Sequence, residues 1–286
     1  MEPTSTISDV IEPTFRSHTI ERAKKEESGK RVKIAGWIET IRELGKIKFI
    51  ILRDFSGKVQ CVLKGELLSP NIGKEYVVSL EGTVKETPQA PYGGKEIVAN
   101  SLEVLGAVEK SLPVDPTSKT PAELETRLNF RFLDLRRDEI KRVFLAKSEA
   151  VRAFRDYARD EGFVEIHPPS IIGAASEGGA EVFEVKYFES KAYLAQSPQL
   201  YKQMAVVGGL ERVTMTGPVF RAEKHNTSAH LNETIQMDME AAFIDDVGAI
   251  KLLTGAMEAI TEKLSHYEEV NALKDIPVVE YEDAIK

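Results

Sequence analysis

From residue 30 to residue 105 the chain reads as short strands separated by turn signals. Val32 and Ile34 flank Lys33 and lead into Trp37-Ile38, and Phe49-Ile50-Ile51-Leu52 is an apolar run closed by the turn-rich Asp54-Phe55-Ser56-Gly57. Val59, Cys61 and Leu63 then alternate with Lys58, Gln60 and Lys64, so one face is buried and the other wet. Two more strands are predicted over 76–84 and 96–105, with Pro88, Pro91, Gly93 and Gly94 between them. Five strands with a hairpin at the second and third predict a small closed barrel. An OB-fold is the leading candidate, and its second and third strands commonly bind oligonucleotides.

The pattern changes after residue 105. Residues 106–126 hold Pro113, Pro116 and Pro121 among Ser, Thr and Lys, which reads as a linker. A long helix follows, with Ile140, Val143, Phe144, Val151, Phe154 and Ala158 at helical spacing, and Gly162 stops it. Strands are predicted over 182–188, 212–216 and 235–243. A second helix is predicted to start at Ser197-Pro198, a capping serine with proline in the first helical position. A third is predicted over 246–266, with Val247, Ile250, Leu253, Met257, Ile260 and Leu264 on one face. The whole is an all-β barrel followed by a mixed α+β region.

Composition narrows the function classes. A 42% hydrophobic and 29% charged chain of 286 residues suits a two-domain globular protein. No stretch reaches the roughly 18 uncharged apolar residues of a membrane span, and the first residues lack a secretory pattern, so the cytoplasm is expected. A single cysteine excludes an internal disulfide and a cysteine-based zinc cluster, and the five histidines lack metal-ligand spacing. The net charge of −8 argues against a generic basic nucleic-acid binder, but it is uneven. Residues 22–64 carry twelve Lys/Arg against five Asp/Glu, which suits a small basic module joined to an acidic body.

Three clusters carry candidate chemistry. Phe220-Arg221-Ala222-Glu223 precedes a polar loop holding His225 and His230, then the strand Ile235-Gln236-Met237-Asp238-Met239-Glu240. An arginine at a strand end with glutamate two residues on shares its face, and a guanidinium fork matches phosphate oxygens. Gln196-Ser197-Pro198-Gln199-Leu200-Tyr201-Lys202-Gln203 places Gln199 and Lys202 on one helical face, an amide beside a lysine that suits a small carboxylate. Ala175-Ser176-Glu177-Gly178-Gly179-Ala180 is a Gly-rich loop with one acid. Taken singly, these read as a surface ion pair, a solvated helix face and a plain turn.

Taken together, their order and spacing resemble the class II aminoacyl-tRNA synthetases, in particular the archaeal-type aspartyl members of the aspartyl, asparaginyl and lysyl subgroup. Residues 162–169 look like motif 1, ending in Pro169 at the family's dimer interface, and 220–243 look like motif 2. Arg131-Phe132-Leu133-Asp134-Leu135-Arg136-Arg137 resembles the segment that opens the catalytic domain. The resemblance implies three parts: 17–105 as an anticodon-binding OB-fold, 106–126 as a hinge or linker, and 127–286 as the N-terminal part of a class II α+β catalytic domain built on an antiparallel sheet. It implies that Arg221 holds the α-phosphate and the substrate carboxylate, as the catalytic residue. Glu223, His230 and Leu231 would lie on the ATP side. Glu177, Ser197, Gln199, Lys202, Gln236 and Asp238 would bind aspartate, with Lys202 on its side-chain carboxylate. Arg42, Phe49 and Gln60 would read the central anticodon base, Phe49 by stacking.

The resemblance further implies ATP and Mg²⁺, a homodimer through motif 1, and tRNA(Asp) as partner, with tRNA(Asn) as an alternative acceptor. Ala229 and Thr234 depart from the family's pattern on the ATP side. The third motif and the Mg²⁺ ligands are expected beyond residue 286, so no metal site is expected within this chain. The reading is the N-terminal part of an aspartate–tRNA ligase, expected to be inactive as the 286-residue chain alone. The rivals are an asparaginyl enzyme and a non-catalytic tRNA-binding paralogue.

Overall fold

Alternating burial carries the first part of the chain into a closed barrel. The computed structural model describes residues 14–68, 71–174, 182–224, 227, 231–267 and 269–285. Helix α1 (Ile20–Lys25) precedes strands β1 (Arg31–Leu44), β2 (Ile47–Arg53), β3 (Lys58–Lys64), β4 (Val77–Glu86) and β5 (Lys95–Gly106). The strands close in the order β1-β2-β3-β5-β4, with β4 returning to β1 and β3 meeting β5 in parallel. Each of the five lies close to its predicted position.

The inward set is the one the alternation selects. Ile34, Ile38, Ile50, Leu52, Val59, Cys61, Leu63, Leu80 and Ile97 are fully buried, and each large side chain of this type contributes about 1.5–3 kcal/mol when removed from water. Burial, and then the charge of Glu96, push the Cys61 thiol far above its ordinary range, so it behaves as an apolar side chain. Gly36 is required by close approach, because a Cβ there would lie 2.2 Å from the Arg53 carbonyl oxygen. Ile38 pairs with Leu52 and Thr40 with Ile51, which leaves Glu39 as a bulge in the β1–β2 ladder.

Helix α1 was not legible in the hydrophobic pattern. It is held by the Asp54 turn: one carboxylate oxygen accepts the Ile20 N–H at 3.0 Å, and the other accepts the Ser56 and Gly57 N–H groups at 2.8 and 3.1 Å. Ile20 and Ala23 then complete the barrel core.

The first compact unit extends to Arg137, and the second is Asp138–Lys286. Within the proline-rich stretch, Val114 and Pro116 are buried, and Asp115 accepts the Thr117 and Thr120 N–H groups at 2.9 and 3.1 Å. Helices α2 (Leu124–Asn129) and α3 (Arg131–Asp134) follow in the same unit. Asp134 is fully buried and receives Arg127 at 2.8 Å, Arg137 at 3.5 Å, and Arg131.

The second unit begins with α4 (Asp138–Asp160). It ends as glycine allows: Gly162 takes φ +80°, its N–H bonds the Arg159 carbonyl, and the Phe163 N–H bonds that of Ala158. Two short strands, β6 (Val164–Glu165) and β7 (Ile171–Ile172), precede the hairpin of β8 (Glu184–Tyr187) and β9 (Ser190–Leu194). Then come α5 (Gln199–Ala205), β10 (Arg212–Phe220), β11 (Glu233–Ala241), α6 (Asp246–Leu264) and α7 (Tyr281–Ala284). The described strands form two three-stranded sheets, β11-β10-β6 and β7-β9-β8. On α6 the predicted apolar face exists, but Val247 and Leu253 are more than half exposed and only Ala256 is buried.

Asp134 generates a prediction. Burial raises its carboxyl pKa, but the Arg127 hydrogen bond and the charges of Arg127, Arg131 and Arg137 overcome this and hold it below the ordinary range. Its stabilisation is therefore present above the ordinary carboxyl pKa of about 3.9 and is lost as pH falls through the lowered folded value. Asp134→Asn should cost about 2 kcal/mol at pH 7. Urea denaturation at a series of pH values should show that deficit shrinking below about pH 4.

Candidate functional site

In the second unit the site begins with a register. β10 and β11 pair over nine positions, setting Gly217 opposite Gln236, Met215 opposite Asp238 and Val213 opposite Glu240. Gln236, Asp238 and Glu240 therefore alternate onto one face of the ladder. The Phe220 N–H bonds the Ala195 carbonyl at 2.9 Å, which brings the residues after β9 to the end of β10. Gln196 and Ser197 enter there, both buried.

α5 adds the cation. Lys202 is 4% exposed, and its Nζ lies 3.4 Å from Asp238 Oδ1 and 3.5 Å from Glu240 Oε2. The Gln199 amide donates to Glu240 Oε2 at 3.2 Å. The shared face of Gln199 and Lys202 is thus used on the same glutamate. The Thr214 hydroxyl donates to the Asp238 carbonyl at 2.8 Å and steadies the strand behind. Gln236 Oε1 and Asp238 Oδ2 are buried without a hydrogen-bond partner. Each such acceptor costs about 1–3 kcal/mol unless a donor arrives, and an ammonium group offers three.

The helix start differs from expectation. Pro198 is the N-cap and α5 begins at Gln199. The Pro198 carbonyl accepts the Tyr201 and Lys202 N–H groups, both at 3.0 Å, which places proline before the first turn. Ser197 still caps, accepting the Gln199 N–H at 3.2 Å. The expected shared face of Arg221 and Glu223 is not formed by strand alternation. β10 ends at Phe220, and the Glu223 N–H turns back onto the Arg221 carbonyl at 2.8 Å. The Arg221 N–H bonds the Asn232 carbonyl, and its side chain is exposed, as is Leu231, while Glu223 is half-buried. Thr234 pairs with Val219 in the ladder. Glu177, His225, Ala229 and His230 lie outside the described residues.

Glu240 is the member of this cluster that sequence reasoning passed over. It was visible as the third member of an alternating Gln-x-Asp-x-Glu run, but nothing local marks it as the partner of Lys202. Among the described residues no group of three or more His, Cys, Asp or Glu is placed to hold a metal ion. Pro169, four residues past β6, is exposed.

On the barrel, Arg42 and Phe49 are directly opposite in the β1–β2 ladder, and Gln60 faces Ile51, two residues along β2. Arg42 is exposed, with Phe49 and Gln60 half-buried on the outer surface. The Gln60 amide nitrogen donates to Glu96 Oε2 at 3.1 Å, which turns its carbonyl oxygen away from that contact.

A closed five-stranded barrel with an aromatic and a cation on its outer face is thus followed by a sheet with a buried lysine between two carboxylates. A family profile described as "tRNA synthetases class II (D, K and N)" matches residues 123–286, and one described as "OB-fold nucleic acid binding domain" matches 32–105. The chain belongs to the class II tRNA synthetases of the D, K and N group. It is 43% identical over 275 residues to the aspartate–tRNA(Asp) ligase of Pyrococcus horikoshii, covering 94% of this chain and 62% of that protein. It is 45% identical over 248 residues to the aspartate–tRNA(Asp/Asn) ligase of Methanopyrus kandleri, covering 84% of this chain and 56% of that one. The structure is similar to asparaginyl-tRNA synthetase from Pyrococcus horikoshii complexed with asparaginyl-adenylate, with a TM-score of 0.80 and 32% identity over 94% of this chain and 65% of that chain. The chain thus spans about 60% of the length of the curated relatives it matches.

The buried lysine can be tested without any assay of activity. Lys202→Leu strands two carboxylates beside an apolar side chain and should destabilise the chain by about 3 kcal/mol. Lys141→Leu breaks only a partly exposed pair with Asp138 and should change stability by less than about 0.5 kcal/mol. Urea denaturation of both variants checks the contrast, and equal effects would remove Lys202 from the centre of the site.

Proposed function

We propose that this chain is part of an aspartate–tRNA ligase, which activates aspartate with ATP and transfers it to tRNA(Asp). The observation that carries this reading is Lys202, a buried ammonium in the Gln-Ser-Pro-Gln-Leu-Tyr-Lys segment, set against Asp238 and Glu240 beside two unpartnered acceptor oxygens. In this reading the ligand's ammonium donates to Asp238 and Gln236, with Glu177 closing over it, and Ser197 and Gln199 line the pocket. The ligand's side-chain carboxylate meets Lys202.

Arg221 binds the α-phosphate of ATP and the substrate carboxylate, with Glu223, His230 and Leu231 on the nucleotide side. One carboxylate oxygen of aspartate attacks the α-phosphorus, the bond to the β-phosphate oxygen breaks, and pyrophosphate leaves. The terminal adenosine hydroxyl of the tRNA then attacks the activated carbonyl, and AMP departs. No side chain of this chain need act as nucleophile. The contribution of these residues is positioning and charge complementarity.

On the barrel, Phe49 stacks on the central anticodon base, Arg42 contacts it, and the Gln60 carbonyl oxygen accepts from its edge. The partner is tRNA(Asp), and the M. kandleri relative's name extends the possibility to tRNA(Asn). Pairing of two copies through the segment ending at Pro169 accounts for the exposed Val143 and Phe144 on α4. Among the described residues no helix is long and apolar enough to cross a membrane, and the proposed compartment is the cytoplasm.

Asparagine is the competing substrate, since the asparaginyl enzyme of P. horikoshii shares the architecture. Aspartate and asparagine are nearly equal in size, so the pocket must read charge, and a lysine facing a neutral amide stays desolvated and unpaired. In the full-length protein that contains this chain, aspartate should drive ATP–pyrophosphate exchange at least about a hundredfold better than asparagine. Lys202→Leu should abolish most of that preference, and exchange within about twofold of wild type would refute charge reading at this position. Independently, Phe49→Ala should weaken binding of an anticodon stem–loop RNA by about 1–3 kcal/mol at fixed salt. An unchanged dissociation constant would remove Phe49 from the interface.

A further inference from the structure

We propose that Glu96 is a positioning residue: it fixes the hydrogen-bond polarity of Gln60, and through it makes the barrel select uracil over cytosine at the base stacked on Phe49. The inference rests on the anticodon role proposed for the barrel.

The residues involved form one row across the sheet. Ile51 pairs with Gln60, Gln60 with Glu96, and Glu96 with Lys85, across β2, β3, β5 and β4. Cys61, Ile97 and Val84 point into the core, so their chain neighbours Gln60, Glu96 and Lys85 stand together on the outer face. Phe49 lies two residues from Ile51 on β2, which makes it the diagonal neighbour of Gln60, within reach of long side chains. In the proposed reading, a base stacked on Phe49 has its edge beside Gln60.

Glu96 decides which end of the Gln60 amide that base meets. The amide nitrogen donates to Glu96 Oε2 at 3.1 Å, and Lys85 Nζ donates to Oε1 at 3.4 Å. Glu96 is 6% exposed, so its carboxylate depends on such donors, whereas the Lys85 side chain is 58% exposed and contributes weakly. A carboxylate only accepts, while an amide has one accepting and one donating end. Turning Gln60 over would set two acceptor oxygens against each other at 3.1 Å, so its own oxygen is left for the base. An outward acceptor needs a donor in front of it. Uracil has one donor on its pairing edge, the N3–H, whereas cytosine has a bare acceptor nitrogen at that place. The two rings are alike in size and stack alike, so polarity is what separates them. Uracil is also the base that pairs with the central adenine of the aspartate codons.

The test uses the 286-residue chain and two anticodon stem–loop RNAs that differ only in uracil or cytosine at the central position. Dissociation constants are measured at fixed salt. Wild type should prefer uracil by at least about tenfold. Glu96→Gln is nearly the same size but lets Gln60 turn either way. The preference should then fall below about threefold, while the thermal transition of the barrel is kept. This change also removes a negative charge and should strengthen binding of both RNAs, so the readout is the ratio of the two constants. In a Gln60→Ala background, Glu96→Gln should leave the ratio unchanged, because Glu96 acts through Gln60. No preference in wild type, or a preference that survives Glu96→Gln, would overturn the inference. So would an equal effect of Glu96→Gln in the absence of Gln60, since Glu96 would then act on the base directly. If Glu96→Gln loses the barrel's transition, Glu96→Ala is read with the same expectation, and loss of folding in both makes Glu96 a structural group and ends the inference. Failure of both RNAs to bind wild type is a different result: it counts against the barrel's proposed role, and the inference falls with it.

Discussion

A buried ammonium must be surrounded by carboxylates, and the second unit is arranged around that requirement at Lys202. Taking such a charge out of water costs several kcal/mol unless partners are in place. Here the partners come from β11, as Asp238 and Glu240, while the lysine comes from α5. The seven-residue helix α5 is too short to be stable alone. What seats it is the junction of Ala195 with Phe220, the Ser197 and Pro198 caps, and the charge contacts themselves. The cluster of one lysine and two carboxylates carries a surplus negative charge beside two unpartnered acceptors.

The barrel solves a different problem with different forces. Its interior is apolar and complete, so its outer surface is free to vary. Phe49 offers a stacking face and Arg42 a cation, while Glu96 orients the Gln60 amide. Stacking is tolerant of sequence and charge reading is not. The same architecture is found in solved structures named for an asparaginyl and for an aspartyl enzyme, so the fold alone does not identify the amino acid.

Several features were legible in the residues alone. Period-two alternation around Lys33 and over 58–64, the apolar run 49–52 and the turn residues between segments located the five barrel strands, because a half-buried strand writes its two faces directly into the sequence. The end of α4 was marked by Gly162, which takes the left-handed conformation that closes the helix. The Gln-Ser-Pro-Gln-Leu-Tyr-Lys run and the Gln236–Asp238 alternation marked segments that the fold brings together, with Lys202 3.4 Å from Asp238. Helix α1 was not legible, since the turn at Asp54 holds it from more than thirty residues away. The Arg221–Glu223 geometry was misjudged because the strand ends one residue before it.

What the sequence determined by itself was periodicity, and therefore which elements form and which faces are apolar. It could not determine what each face or charge would meet. α6 has the apolar face its spacing predicts, yet Val247 and Leu253 remain open among the described residues. The segment 131–137 reads as the opening of the second domain, yet Arg136 fastens it to Glu75, sixty-one residues earlier, in the first unit. Glu240 looks like an ordinary strand glutamate until α5 brings Lys202 against it. Periodicity is a local property of the backbone, whereas the pairing of buried charges depends on contacts between distant segments, and only the tertiary structure supplies those.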